Sequence, residues 1–79
     1  MFVVYAIRSL ATAKIYIGQT NDLATRLAQH NSGKVLSTRN HRPWEAIKTE
    51  KFETRHQARW FEFQLKKSRG RRIKWLKKK

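Results

Sequence analysis

Seventy-nine residues without a cysteine can build one modest hydrophobic core, with no disulfide or thiolate metal site to reinforce it, so a single domain over residues 1–79 is expected. Nineteen Lys and Arg against five Asp and Glu give a net charge of +14, a surplus that a compact chain holds only against its own repulsion and that points to a polyanionic partner. The opening apolar run Phe2–Ile7 stops at Arg8, far short of a membrane span or a signal sequence. Nucleic acid is thereby favoured over a membrane surface, and a cytoplasmic location is expected, in keeping with the lack of cysteine.

Residues 2–8 and 14–19 are rich in β-branched and aromatic types, and the short Ser9–Ala13 segment between them turns the chain back, which predicts an antiparallel hairpin. Asn21 is placed to cap a helix over 22–31, with Leu23 and Leu27 four apart and Gly33 positioned to end it. Residues 34–43 have no clear period and carry the single proline, so an exposed basic loop is expected there. The stretch 45–52 alternates poorly but is read as a third strand, because two strands alone make a weak sheet. Thr54 and Gln57 have the spacing of a capping box, and Ala58, Phe61 and Leu65 recur at helical intervals, giving a second helix over 54–68. Beyond it Gly70 interrupts the pattern and nine bases crowd Lys66–Lys79, a tail that forms a short helix or frays. The core draws on Trp44, Trp60, Trp75, Phe2, Phe52, Phe61, Phe63, Tyr5 and Tyr16.

Glu62 stands out chemically. At 3.6 residues per turn it projects within about 40° of Ala58 and about 60° of Leu65, so it borders the buried stripe, where a carboxylate needs a cation, donors or a metal. A salt bridge to one of the nineteen bases is the simpler account. Arg26 and His30 are four apart, neighbours on one helix face that together suit a phosphate, although an ordinary solvated face has the same spacing. Tyr5 and Tyr16 fall one on each strand of the hairpin, within cross-strand reach, where core packing is the commoner role. His30, His41 and His56 fit no zinc spacing. Lys14, Lys34, Arg39, Arg42, Lys66, Lys67, Arg69, Arg71 and Arg72 outline an electrostatic footprint for nucleic acid, with Trp75 as an aromatic that could stack on a base; a solubilising tail would look similar.

Taken together, Tyr5 in VVYAI, KIYIGQTNDL at 14–23, RLAQHNSG at 26–33 and ARWFEFQLKK at 58–67 resemble the GIY-YIG nuclease family. The likeness is strongest to small standalone bacterial proteins that share the domain of the excision-repair nuclease subunit and intron-encoded endonucleases. It implies an α+β fold, a three-stranded antiparallel sheet flanked by helices in the order β-β-α-β-α. Val3-Val4-Tyr5 stands where the first triplet is Gly-Ile-Tyr, whereas Tyr16-Ile17-Gly18 keeps the second unchanged, with Gly18 suited to close approach.

The resemblance further implies a metal-dependent endonuclease that hydrolyses DNA phosphodiester bonds, in DNA repair or recombination. Glu62 would hold one divalent cation, Mg2+ or Mn2+, and Arg26 would hold the scissile phosphate. Tyr5 would take the proton of the attacking water, with Tyr16 and His30 assisting; His30 is the alternative base, its ordinary pKa lying near about 6.5. Gln19 departs from the lysine of the excision-repair subunit, and no asparagine follows Asn40 where several relatives have one. The competing reading is a catalytically weak or inactive nucleic-acid-binding module on the same scaffold. DNA is the expected partner, RNA stays open, and a monomer that pairs only transiently on DNA is expected.

Overall fold

The apolar run near the N-terminus becomes the middle strand of a three-stranded antiparallel sheet in the computed structural model, which describes residues 1–78. In chain order the elements are β1 (Phe2–Ser9), β2 (Ile15–Thr20), α1 (Leu23–Ser32), a 3-10 turn (Arg39–His41), β3 (Trp44–Phe52), α2 (Arg55–Lys67) and α3 (Arg69–Lys77). The strands lie in the order β2-β1-β3. A middle strand covered on both faces needs apolar side chains at every position rather than at alternate ones, and Val4, Tyr5, Ala6 and Ile7 are all buried. Val4 and Ala6 face α2 and α3, packing with Ile17, Ala58, Leu65 and Trp75. Tyr5 and Ile7 face the other way, toward Trp44, Tyr16 and the Leu23 and Leu27 side chains of α1.

The weak alternation of β3 has a specific cause. Its pairing with β1 slips by one residue between Ala6 and Ile7, so that Lys48 pairs with Ala6 but Ala46 with Ile7, leaving Ile47 extra. This bulge changes the face parity of the strand. Trp44 therefore packs on the Tyr5 side while Ile47 and Phe52 pack on the Val4 side, an arrangement that no regular strand with eight steps between Trp44 and Phe52 can make.

Helix α1 begins one residue later than the sequence suggests. Asp22, not Asn21, is the N-cap: its Oδ1 accepts from the Thr25 N–H and its Oδ2 from the Thr25 hydroxyl, at 3.2 and 2.8 Å. These bonds lower the Asp22 pKa, the hydroxyl bond contributing most. Gly33 ends the helix with φ of 86°, the left-handed geometry that glycine adopts without strain. The capping box of α2 forms as read, Thr54 with Gln57. The interruption after α2 lies at Ser68 rather than Gly70: Ser68 is at once the C-cap of α2 and the N-cap of α3, its hydroxyl accepting from Arg71 N–H. The basic tail is thus a helix as far as Lys77, and Lys79 lies outside the described residues.

Two expectations about aromatic residues fail: that Trp75 could stack on a base, and that Trp60 and Phe63 join it in the core. Trp75 is 6% exposed and belongs to the core, meeting Phe61 edge-on at 5.6 Å and donating its indole N–H to Glu50, so it is not available to a base. Trp60 and Phe63 are instead 59% and 52% exposed, because they lie on the face of α2 opposite Ala58 and Leu65. Nor is the 34–43 segment wholly exposed: Thr38 is buried and its carbonyl accepts the Trp44 indole N–H. No helix among the described residues is long and apolar enough to cross a membrane.

Candidate active site

The register of the hairpin puts Tyr5 opposite Gly18. Tyr16, two residues earlier on β2, shares that face, its ring centre 6.5 Å from that of Tyr5. The Tyr5 phenol lies directly over Gly18, where a Cβ would stand 2.6 Å from its hydroxyl oxygen. Glycine is needed for space, and what approaches so closely is the Tyr5 ring.

Helix α1 covers this face and delivers His30 into it. His30 is 0% exposed, which removes the solvated-face reading of the Arg26–His30 pair. Its Nε2 is 2.8 Å from the Tyr5 hydroxyl and its Nδ1 is 2.8 Å from Thr38 Oγ1. The Thr38 hydroxyl points its own hydrogen at the Val35 carbonyl. That leaves Thr38 to accept from Nδ1–H, and Nε2, without a proton, accepts from the Tyr5 O–H. Burial and the nearby Arg26 charge lower the His30 pKa, which keeps the ring neutral and Nε2 free to accept. Tyr16 closes the group, its ring 5.1 Å from that of His30 and tilted by 60°.

Arg26 is half-buried one turn before His30, its Nη1 donating to Gln29 Oε1 at 3.1 Å. Its positive charge is felt at the Tyr5 phenol. Burial raises the Tyr5 pKa, the neighbouring Arg26 guanidinium pulls it down, and Tyr16 and Glu62 push it up. The phenol is therefore protonated near neutral pH, yet it lies within the fields of both Arg26 and Glu62.

Glu62 lies on α2, in the opposite layer, and is tied to the β2 edge of the site through Lys66. Its helix packs on the Val4 face, but β2 is an edge strand, and side chains of α2 can pass around that edge. Lys66 does so, its Nζ lying 5.5 Å from the centre of the Tyr16 ring while pairing with Glu62 Oε2 at 2.8 Å. The salt bridge expected from composition is thus present, at a half-exposed lysine, while the Glu62 side chain retains 19% exposure. Among the described residues no three His, Cys, Asp or Glu side chains gather. One part-exposed carboxylate suits a hard cation that keeps its waters and takes further oxygens from a phosphate, as Mg2+ and Mn2+ do, and does not suit the four-ligand shell of zinc.

Of the bases read as a nucleic-acid footprint, Lys14 is exposed just before β2, and Lys34, Arg39 and Arg42 are exposed around the end of α1. Lys67, Arg69 and Arg71 are exposed where α2 meets α3. Arg72 differs, being half-buried and donating to the Leu65 carbonyl, which makes it a strut between α2 and α3. Thr38, the far end of the Tyr5–His30 chain, was not singled out by the sequence. Its only signal there was a hydroxyl eight residues beyond His30, in a segment without periodicity.

Residues 1–77 match the family model for the GIY-YIG catalytic domain. A UPF0213 protein from Pediococcus pentosaceus is 37% identical over 79 residues, covering 98% of this chain and 82% of the relative. A UPF0213 protein from Bacillus velezensis is 43% identical over 53 residues, 66% of this chain, and the match spans only 54% of that relative's length. The NMR structure of a UPF0213 protein from Bacillus halodurans matches with a TM-score of 0.57 at 28% identity, over 94% of this chain and 81% of that one.

Proposed function

The chain belongs to the GIY-YIG catalytic-domain family, a nuclease family, and on that premise we propose that it is a divalent-cation-dependent endonuclease that hydrolyses DNA phosphodiester bonds. What supports this reading is the packing of Tyr5, Tyr16 and His30 from three separate elements, with Arg26 one turn before His30 on α1 and Glu62 on α2 tied through Lys66 to the Tyr16 ring. Glu62 would hold the cation, Mg2+ or Mn2+, whose chemistry when bound is to offset charge on the phosphate oxygens. Arg26 binds and orients the phosphate through its planar fork.

Tyr5 receives the proton of the attacking water, and its raised pKa makes a resting phenolate a poor starting point. The hydrogen bond to His30 supplies another route: as the phenol oxygen takes the water's proton, its own proton passes to Nε2. His30, having no exposed surface, acts through Tyr5 rather than on water directly. Tyr16 and Lys66 wall the β2 side of the site.

The test is a panel of labelled duplex, flap, branched and single-stranded DNAs incubated with Mg2+ or Mn2+. Wild type is expected to cut at least one, and Glu62→Gln and Arg26→Ala to lose about a hundredfold or more in rate with unchanged circular dichroism. Equal cleavage by wild type and Glu62→Gln would refute the assignment. Salt-sensitive binding without any strand breaks would favour a non-catalytic binding module.

A further inference from the structure

The outer face of α2, away from the Tyr5 site, carries an arrangement that the hydrolytic reading does not use. Trp60 and Phe63 lie nearly parallel, ring centres 5.8 Å apart and 22° between planes, both largely exposed. Isolated surface aromatics are ordinary, but a stacked pair open to solvent forgoes the burial that large rings usually find. A depression flanks the pair on each side. One is lined by Arg55, His56 and Arg59 together with the two rings, the other by the rings with Gln64, Lys67 and Arg71. Among the described residues neither lining includes a carboxylate. Lys67 lies over the Phe63 ring, Nζ 5.7 Å from its centre.

Flat aromatic surface interleaved with cations is the chemistry that receives unpaired bases and their phosphates: rings stack on the bases, and Arg and Lys follow the backbone. A duplex offers no such bases, since its own are already stacked. A hydrophobic protein partner would not call for bases on both sides of the pair, and the chain's net charge of +14 opposes the approach of a second copy. From the stacked pair and its basic flanks, we infer that the Trp60–Phe63 face of α2 is a stacking platform for single-stranded nucleic acid. It lies outside the hydrolytic site and binds whether or not that site cuts.

The experiment is equilibrium binding in EDTA, where no cleavage occurs, with a labelled oligothymidylate and an abasic strand of equal length. Wild type should bind the thymidylate more tightly than the abasic strand, with quenching of tryptophan fluorescence. Trp60→Ala and Phe63→Ala should each weaken thymidylate binding by about tenfold and leave abasic binding unchanged, so that the preference disappears. Arg59→Ala should weaken both strands alike. Trp60 and Phe63 are exposed, so far-UV circular dichroism of the variants should match wild type. Equal affinity of wild type for the two strands would overturn the proposal, as would an undiminished preference in Trp60→Ala. Sedimentation showing a wild-type dimer that Trp60→Ala abolishes would also overturn it, in favour of self-association.

Discussion

Gly18→Ala would place a Cβ 2.6 Å from the Tyr5 hydroxyl oxygen, 2.8 Å from its Cζ and 3.1 Å from Cε2 of Tyr16. Ordinary contact begins at 3.4 Å, so the phenol must withdraw by about 0.8 Å, a distance over which close-packed atoms have no slack. Tyr5 is 1% exposed and held at 2.8 Å by His30, so withdrawal overpacks the α1 face and stretches a buried hydrogen bond. Overpacking costs about 1–3 kcal/mol and a compromised buried hydrogen bond a similar amount. Because relaxation shares the two, a loss of about 2–4 kcal/mol is expected, a fall in Tm of about 10–25 °C for a domain of this size. Cleavage should fall about a hundredfold, since an ångström of misplacement suffices for that. Thermal melts followed by circular dichroism and nicking rates on a supercoiled plasmid measure both. Gly70→Ala is the control: in the first turn of α3 its Cβ would meet only the Ser68 hydroxyl, at 4.0 Å, so it should leave the melt unchanged or stabilise by up to about 1 kcal/mol. A Gly18→Ala protein that melts and cuts like wild type would refute the close approach and the role of the phenol with it.

Three further outcomes are expected. His30 has a lowered folded-state pKa, so its contribution is complete above the unfolded value near about 6.5 and is lost as pH falls below it, at up to ~1.4 kcal/mol per pH unit until the folded pKa is passed. Urea midpoints measured above and below that value should fall more steeply with acid in wild type than in His30→Gln, and parallel pH profiles would contradict the buried neutral ring. Lys66→Ala frees Glu62 from its ion pair and should tighten Mn2+ binding by up to about fivefold, the worth of an exposed pair; paramagnetic resonance titration without DNA detects this, and unchanged affinity would place the cation elsewhere. Trp75→Ala removes a core side chain and should cost about 3–5 kcal/mol, whereas Trp60→Ala should leave the melt nearly unchanged; comparable losses would show that the outward phase of α2 is wrong.

The parts of this fold legible in the sequence are those set by local chemistry. The apolar run on β1, the Thr54–Gln57 capping box and the Ala58–Leu65 stripe each depend on neighbours within a turn or a strand, and each forms as read. The errors arise where a distant partner decides. Asp22 displaces Asn21 as cap because Thr25 offers both a backbone and a hydroxyl donor to its two oxygens. Of two tryptophans read into the core only Trp75 enters it, because the fold of α3 onto Phe61 fixes which indole is covered. The site residues could be named by their motifs, yet not the chain that links them. That His30 bonds to Tyr5 on one side and to Thr38 on the other follows from packing of α1 against the 3-10 turn, over separations of 25 and 8 residues.

The extra residue in β3 also bears on how this domain tolerates changes in length. The Leu10–Ala13 turn between β1 and β2 is exposed and can lengthen at little cost. Within 45–47, by contrast, a deletion would restore a regular ladder and carry either Trp44 or Phe52 to the wrong side of the sheet. Natural and engineered indels should therefore accumulate in the turn and be purged from the third strand, despite its comparatively exposed side chains.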